Sequence, residues 1–282
     1  MAIAASLHQQ ATLGAAAWLH HRNQRERLRG QLGKLLQVPP ETLALLPSTS
    51  RAASDLSLCL PWKEGDKLVL FSGEFPTNIT PWQQIARQHN LKLHFLPATD
   101  FQTTKGLESL ENVLKTGVRR VAVSAVQFQT GFQMPLAPLI TLAHQYDAEV
   151  IVDAIQAIGV IPLNLTLLDV DYLFAGSHKW MMGPEGCAFL YVHPRHTLLP
   201  TVVGWLSHED PARFLFHPHE LRYDRPFRKE PDRLEIGAFN TLGLAGWEAA
   251  LEPLLSLGVS NIFQHLQPIL HQLEEGLLER GF

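Results

Sequence analysis

Cysteine is scarce in this sequence, which has only Cys59 and Cys187 among its 282 residues. The two lie far apart in unrelated contexts, so they show neither the spacing of metal ligands nor the pattern of a disulfide framework. We therefore expect no metal site. A reducing compartment, the cytoplasm, is the simplest location for such a chain.

Long apolar runs and a surplus of one charge are also missing. No stretch reaches the roughly 18 apolar residues that a membrane-spanning helix needs. Residues 1–17 lack the basic segment and continuous apolar run of a signal peptide, so we interpret them as mature helix. The 27 acidic and 23 basic residues, with net charge -4, are mixed along the chain, which argues against a nucleic-acid partner. The partners that remain are a small molecule and a second copy of the chain.

Short apolar runs alternate with segments of helical spacing through most of the chain. This alternation predicts a layered α/β fold with a mostly parallel sheet. The predicted strands are residues 67–71, 91–96, 118–126, 149–152, 171–174 and 186–191. The predicted helices are residues 11–36, 51–60, 82–89, 107–114, 136–146, 242–257 and 261–278. Residues 201–233 contain several prolines without a clear period, so we expect a long ordered loop there.

Asp153 and Lys179 carry the most specific chemical signal. Asp153 ends a predicted buried strand, where an acid can keep the pyridine nitrogen of pyridoxal 5'-phosphate (PLP) protonated. Lys179 lies in a turn between two predicted strands, where its amine can form a Schiff base with the cofactor and later move a proton at the substrate Cα. Each residue alone is weak evidence, because an isolated Asp or Lys is more often structural or solvated. Their ordered combination is specific.

The surrounding motif resembles the PLP site of the class V aminotransferase family, which is a group of fold-type I enzymes. The matching residues are Asp153, Gln156, His178, Lys179, Gly183, Pro184 and Gly186. The resemblance implies a three-layer α/β/α large domain with a mostly parallel mixed sheet. It also implies that Asp153 pairs with the pyridine nitrogen, that Gln156 bonds the ring hydroxyl, and that Ser177 and His178 help to hold the phosphate.

Two upstream segments extend the resemblance. Residues 48–53 are similar to the family's phosphate-binding turn at a helix start, which implies that Thr49 and Ser50 bind the phosphate. Arg51 stands where the family usually has an acid, and we favour a solvent-facing role for it. Phe75 takes the position of the aromatic ring on the open face of the cofactor. Desulfurases usually have histidine there, so Phe75 favours the kynureninase-like and epimerase-like branches.

Two further segments leave alternatives open. Either Gln127 or Gln129 could reach the ring or the substrate after the strand at 118–126. Residues 233–241 are similar to a family loop that contacts the phosphate of the partner subunit, which implies a homodimer. The usual threonine is Ala238 here, so either Asn240 or Thr241 takes over that contact or it is lost.

The resemblance also sets the expected domains and function. We expect residues 1–240 to form the PLP-binding large domain and residues 241–282 to form helices leading to a missing or truncated small domain. The expected function is a PLP-dependent transferase or lyase that acts on an amino acid by transamination, elimination or epimerisation. The alternative is a catalytically impaired PLP-binding or scaffold paralogue. A nucleotide-binding protein is disfavoured, because no glycine-rich phosphate motif is present.

Overall fold

The computed structural model describes residues 1–217, 219 and 221–281. Pro218 of the predicted loop and Phe282 at the predicted domain end lie outside the described residues, as does Glu220. Within the described part of the chain, seven strands form one sheet. They are β1 (Leu43–Leu46), β2 (Lys67–Ser72), β3 (Lys92–Pro97), β4 (Arg120–Ser124), β5 (Glu149–Asp153), β6 (Tyr172–Gly176) and β7 (Ala188–Val192).

The sheet is mixed but mostly parallel, as predicted. Its strand order is β1-β7-β6-β5-β4-β2-β3. Strands β3, β2, β4, β5 and β6 are parallel to one another, whereas β7 is antiparallel to both β6 and β1. Because parallel strands end at the same edge, the loops that follow β2, β4, β5 and β6 meet on one side of the sheet, where ligands bind in open α/β folds.

Helices cover both faces of this sheet. They are α1 (Ala2–Leu13), α2 (Ala17–Leu36), α3 (Thr49–Cys59), α4 (Thr80–His89), α5 (Lys105–Leu114), α6 (Leu136–Gln145), α7 (Leu165–Leu168), α8 (Ala212–Phe216), α9 (Thr241–Leu257) and α10 (Val259–Leu278). Side chains alternate along each strand, so Val121 and Val123 of β4 enter one core and Ala122 enters the other. Helices α2, α5, α6 and α9 cover the first core, and α3 and α4 cover the second. The predicted three-layer α/β/α fold class is confirmed.

β1 is a strand that the sequence reading did not predict. Its four residues, Leu43–Leu46, are all buried, and an apolar run this short has no period that separates strand from loop. β1 pairs antiparallel with β7, which lies nearly 150 residues later. A distant partner, and not a local pattern, therefore determines that this segment is a strand.

The N-terminal region differs from the single helix predicted over residues 11–36. α1 ends at Leu13, a 3-10 turn covers Gly14–Ala16, and α2 follows. Gly14 has φ of 53°, a left-handed conformation that suits glycine and interrupts the helix. The short helices α7 and α8 were not predicted either, and α8 lies in the segment that we expected to be irregular.

The C-terminal helices differ in how they are packed. In α9, Leu244, Trp247, Leu251 and Leu254 join the first core. In α10, by contrast, none of the residues Val259–Leu278 is buried. The boundary at residue 240 between a large domain and the following helices stays a prediction. Across residues 1–217, 219 and 221–281, no helix has both the length and the apolar character to cross a membrane.

Candidate functional site

A cleft of about 170 Å³ lies at the carboxyl ends of the parallel strands. The loops after β2, β4 and β5, the turn after β6 and the start of α3 all contribute to its wall, as the topology requires. Its lining residues are Ser48, Thr49, Ser50, Phe75, Thr77, Ser124, Val126, Phe128, Asp153, Ile155, Gln156, His178 and Lys179. Seven of the ten predicted site residues are therefore brought together in one place.

Asp153 is the buried acid of the cleft. It is the last residue of β5, only 3% of its surface is exposed, and its Oδ1 accepts a hydrogen bond of 3.1 Å from the Ile155 amide. Burial raises the pKa of Asp153 to about 7, with a smaller rise from the carboxylate of Glu74. The Ile155 hydrogen bond and the charge of Lys179 act in the opposite direction on that pKa. The carboxyl is thus ready to lose its proton when a cation enters the cleft.

The turn between β6 and β7 presents His178 and Lys179 to the cleft. Both side chains are exposed. The turn is closed by a hydrogen bond of 3.0 Å from the Met182 amide to the Lys179 carbonyl and one of 2.9 Å from the Gly183 amide to the Ser177 carbonyl. Lys179 therefore stands on a braced turn, close enough to Asp153 for its charge to act on that carboxyl.

Ser177 does not line the cleft, although the sequence pattern predicts a phosphate contact for it. Its side chain is fully buried, and its hydroxyl donates a hydrogen bond to the Pro184 carbonyl. The structure therefore shows Ser177 bracing the turn that carries Lys179. Its direct contact with a phosphate stays a prediction.

The start of α3 forms one corner of the cleft. Ser48 is the N-cap, and its hydroxyl accepts a hydrogen bond of 3.1 Å from the Arg51 amide. The amides of Thr49 and Ser50 precede any intrahelical acceptor, so they remain available to a ligand. The Ser50 and Thr77 hydroxyls are 2.7 Å apart across the cleft wall.

Thr49 has an unpartnered hydroxyl in this corner. Thr49 is 7% exposed, and its Oγ1 is a buried atom without a hydrogen-bond partner among the described residues. A Cβ at Gly176 would lie 2.8 Å from this oxygen and 3.1 Å from the His178 ring. The absence of a side chain at Gly176 therefore keeps the corner open. Buried hydroxyls usually have a hydrogen-bond partner, so the Thr49 hydroxyl is available to a ligand.

Arg51 does not belong to the cleft. Its Nε donates a hydrogen bond of 2.7 Å to Asp55 Oδ2, one turn along α3. The guanidinium is directed to this ion pair and to solvent, in line with the role that we favoured for it.

Two aromatic rings form the apolar side of the cleft. Phe75 is 50% exposed and Phe128 is 40% exposed, although buried positions are usual for large apolar rings. Their centroids are 5.3 Å apart with an interplanar angle of 78°, which is an edge-to-face contact. Gln156 also lines the cleft, and its Oε1 accepts a hydrogen bond of 3.3 Å from Trp180 Nε1.

Neither Gln127 nor Gln129 lines the cleft. Gln127 Nε2 donates a hydrogen bond of 2.6 Å to the Gly73 carbonyl. Its Oε1 accepts from the amides of Gln129 and Thr130 at 2.8 and 2.7 Å. Gln127 therefore ties the loop after β4 to the loop after β2, and Phe128 is the residue of this loop that enters the cleft.

Asn240 and Thr241 lie outside the cleft of their own chain. Asn240 caps α9, where its Oδ1 accepts a hydrogen bond of 2.9 Å from the Gly243 amide. It borders a separate cavity of about 190 Å³ together with Gly186 and Glu235. Ala238 and Asn240 are exposed. Their predicted contact with the phosphate of a partner subunit stays a prediction.

Some residues of the site carried little signal in the sequence. Ser48 could have been recognised as an N-cap, because serine before a helical segment is the usual capping residue. Ser124 lies inside the predicted strand 118–126, whose true end is Ser124 itself. Thr77 and Glu74 carried no signal of their own. In the described part of the chain, no group of three or more His, Cys, Asp or Glu side chains could hold a metal ion.

Comparison with known proteins identifies the family. A family model described as aminotransferase class-V matches residues 6–282. The chain belongs to the class V aminotransferase family. The resemblance stated from the Asp153 and Lys179 motifs is thereby confirmed. A cysteine desulfurase of Escherichia coli O8 (strain IAI1) is 33% identical over 209 residues, which cover 74% of this chain and 50% of the relative. The chain thus spans about half the length of the curated relatives that it matches.

Several solved structures share the fold. The complex of the cystine C-S lyase C-DES with its reaction product cysteine persulfide has a TM-score of 0.85 and 26% identity, covering 93% of this chain and 70% of that chain. A C-DES variant with glycine covalently linked to the PLP cofactor has a TM-score of 0.84 and 26% identity, with coverages of 93% and 69%. Apo cysteine desulfurase from Thermococcus onnurineus NA1 has a TM-score of 0.81 and 26% identity, with coverages of 93% and 64%. These relatives are desulfurases and a C-S lyase, whereas Phe75 had favoured the kynureninase-like and epimerase-like branches.

Proposed function

We propose that this class V chain binds PLP through Lys179 and forms the cofactor-binding part of an enzyme that acts on an amino acid. The observation that carries the proposal is the meeting of Lys179, the buried Asp153 and the start of α3 in one cleft. These three parts match the three functional groups of PLP, which are an aldehyde, a pyridine nitrogen and a phosphate.

The donor set fits the cofactor at each of these groups. Lys179 would bond covalently to the aldehyde, and Asp153 would hold the proton of the ring nitrogen. The amides of Thr49 and Ser50, with the unpaired Thr49 hydroxyl, would receive the phosphate. When bound, PLP supplies an electron sink for a substrate carbanion.

The other residues of the cleft orient the ring and handle protons. Phe75 and Gln156 line the cleft, where Phe75 would cover one face of the ring and Gln156 would donate to the ring hydroxyl. The Lys179 amine, once released from the cofactor by the substrate, can hold and return a proton at the substrate Cα. His178 on the same turn also lines the cleft.

Among the reaction branches, we favour elimination or C–S bond cleavage of an amino acid. The support is the similarity to a cystine C-S lyase and to cysteine desulfurases. A persulfide-forming role is not assigned to Cys187, because this residue is buried and burial raises the pKa of its thiol to about 11. Cys59 is buried as well, and burial also raises its pKa. A low thiol pKa is the usual mark of a nucleophilic cysteine.

The partner and the compartment belong to the same proposal. The exposed loop at Ala238 and Asn240 is available to a second copy of the chain, so we propose a homodimer in which this loop approaches the partner's phosphate site. The two free cysteines are compatible with the reducing cytoplasm.

The Lys179→Ala variant tests the proposed function. We expect purified protein mixed with PLP to develop a visible absorption band, and borohydride reduction to attach the cofactor to the peptide that contains Lys179. Lys179→Ala removes the only amine that lines the cleft within the described residues, so it should lose both signals. The control is Lys63→Ala, at an exposed lysine outside the cleft, which should keep them.

The spectra of the reconstituted protein also separate active from inactive forms. Addition of amino acids, including cystine and cysteine, should change the visible band of an active protein. If no amino acid changes the visible band, the result would indicate the catalytically impaired PLP-binding alternative. No band and no borohydride adduct in the unmodified protein would rule out the proposed function itself.

A further inference from the structure

Glu74 connects two loops of the cleft without lining the cleft itself. The residue directly precedes Phe75 in the loop after β2. Its Oε1 accepts a hydrogen bond of 2.7 Å from the Ser124 amide, and its Oε2 accepts a hydrogen bond from the Ser124 hydroxyl. One carboxylate thus takes both donors of the residue that ends β4, across 50 positions of sequence.

A second contact holds the same two loops together. The Gln127 side chain of the loop after β4 donates to the carbonyl of Gly73, the residue before Glu74, at 2.6 Å. On the other side, Asn78 is fully buried, and its Oδ1 accepts a hydrogen bond of 3.3 Å from Trp82 in α4. The backbone on both sides of Phe75 is therefore fixed, which holds a half-exposed ring in place.

The charge of Glu74 also acts on Asp153. Ser124 is the register partner of Asp153 in the parallel pair of β4 and β5. Glu74, which accepts hydrogen bonds from Ser124, is therefore near Asp153. Like charges disfavour ionisation, and the carboxylate of Glu74 raises the pKa of Asp153. Burial raises the pKa of Glu74 as well, while its hydrogen bonds with Ser124 lower it.

Among the described residues, Lys179 and His178 are the other titratable side chains that line the cleft with Asp153. Lys179, on the turn after β6, is the cation whose charge acts on Asp153. His178 lines the same cleft and carries charge only when protonated. The Ser124 side chain, which donates to Glu74 from the end of β4, is uncharged, as is Gln127, which donates to the neighbouring Gly73 carbonyl. Glu74 therefore supplies a second negative charge near Asp153, the acid that would hold the proton of the ring nitrogen.

We propose that Glu74 is a positioning residue, which holds Phe75 and Ser124 at the cleft and strengthens Asp153 as the base that keeps the cofactor ring protonated. This inference rests on the proposed PLP-binding function. It predicts two separable effects, a mechanical one on cofactor affinity and an electrostatic one on the protonation of the bound cofactor.

The experiment is a pH titration of the visible band of the PLP-loaded protein, with cofactor affinity measured in parallel by fluorescence. Glu74→Gln keeps an acceptor for the Ser124 amide but removes the charge. Because a negative charge stabilises the protonated, more positive form of the bound cofactor, its loss should lower the pH midpoint of the band by about 0.5–1 unit. Glu74→Ala should lower the midpoint similarly and weaken PLP binding about tenfold, since two hydrogen bonds are also lost.

Two control variants test whether the charge or the hydrogen bonds of Glu74 cause these effects. Glu64→Gln changes an exposed glutamate that also accepts from an amide, Asn90 at 2.8 Å, and it should leave midpoint and affinity unchanged. Ser124→Ala removes one hydrogen bond to Glu74 without removing a charged group, so it should weaken PLP binding and shift the midpoint less than Glu74→Gln does.

The outcomes separate the two proposals. A wild-type protein without a visible band refutes the proposed function. A wild-type band together with a Glu74→Gln variant of unchanged midpoint refutes the role of Glu74 alone. If both Glu74 variants fail to fold, as judged by circular dichroism, unchanged PLP affinity in Ser124→Ala overturns the positioning role.

Discussion

Asp153 is held in surroundings that favour its neutral form. The carboxyl is buried at the end of β5 and receives one backbone hydrogen bond, while Glu74 adds a like charge. A carboxylate with so little compensation costs folding free energy, which is common at sites that bind a cation. In the proposed function, a protonated pyridine ring would supply the positive charge that offsets this cost.

The pH dependence of stability tests this interpretation in the cofactor-free protein. The pKa of Asp153 rises from 3.8 to about 7 on folding, so the unfolded chain releases this proton first as pH increases. Stability should therefore fall between about pH 4 and pH 7, and the full penalty should be present above pH 7. Asp153→Asn removes the penalty and should stabilise the protein by about 2–4 kcal/mol at pH 8, with little effect at pH 4.

Urea denaturation at pH 4, 6 and 8 measures this effect. Asp147→Asn is the matched control, because Asp147 is exposed and its φ of 57° suits asparagine. An equal gain for Asp153→Asn at pH 4 and pH 8 would contradict the raised pKa.

At the scale of the element, helix α3 contributes both to the stability of the fold and to the proposed binding of a ligand. Its N-cap Ser48 satisfies the Arg51 amide and leaves the first two amides of the helix directed at the cleft. On its other side, Ala52, Ala53 and Leu56 pack in the second core. The apolar face of the helix therefore anchors it, while its N-terminus remains free to bind an anion.

Ser48→Ala should weaken both functions of α3. Loss of an N-cap costs about 1 kcal/mol, and the first turn becomes less ordered, so PLP affinity should fall as well. Denaturant unfolding and fluorescence titration with PLP measure the two effects. Ser54→Ala, in the middle of the same helix, should be neutral or slightly stabilising because alanine is the better helix former. Unchanged stability and affinity in Ser48→Ala would refute the capping role.

At the scale of the whole molecule, a buried ionic cluster joins segments that are far apart in sequence. Glu235 Oε1 accepts hydrogen bonds of 2.7 Å from Arg29 in α2 and 2.8 Å from the Leu45 amide in β1. Its Oε2 lies 3.1 Å from Arg25 Nη1. These contacts hold the pKa of Glu235 below its usual range despite burial. The cluster therefore ties the segment before α9 to α2 and to the antiparallel edge of the sheet.

Glu235→Ala should be strongly destabilising. It leaves two buried guanidinium groups without their shared anion, and breaking a buried ion pair from one side costs about 3–5 kcal/mol. The free energy of unfolding in urea measures the loss. The control Glu274→Ala removes an exposed glutamate of α10 and should change stability by less than about 0.5 kcal/mol. A loss below about 1 kcal/mol for Glu235→Ala would show that the cluster is solvated in solution.

The order of most elements, and several of the residues that line the cleft, were predictable from the sequence. The alternation of apolar runs predicted six of the seven strands that the described residues form, because buried parallel strands are continuous apolar segments. The strand-end acid at Asp153 and the turn with His178 and Lys179 were recognisable because each is defined by its immediate neighbours in sequence. Thr49 and Ser50 were found for the same local reason.

Contacts between distant segments were decided by the tertiary structure. β1 is a strand because β7 pairs with it, and Ser177 turned out to brace its own turn because Pro184 folds back onto it. Gln127 and Glu74 form hydrogen bonds with residues that are 54 and 50 positions away in sequence, and no local sequence pattern indicates such contacts. The sequence by itself determined which chemistry is present in this protein, since that depends on residue types in local order. Only the packed fold decided which neighbours tune that chemistry, because burial and nearby charge exist only once the strands are assembled.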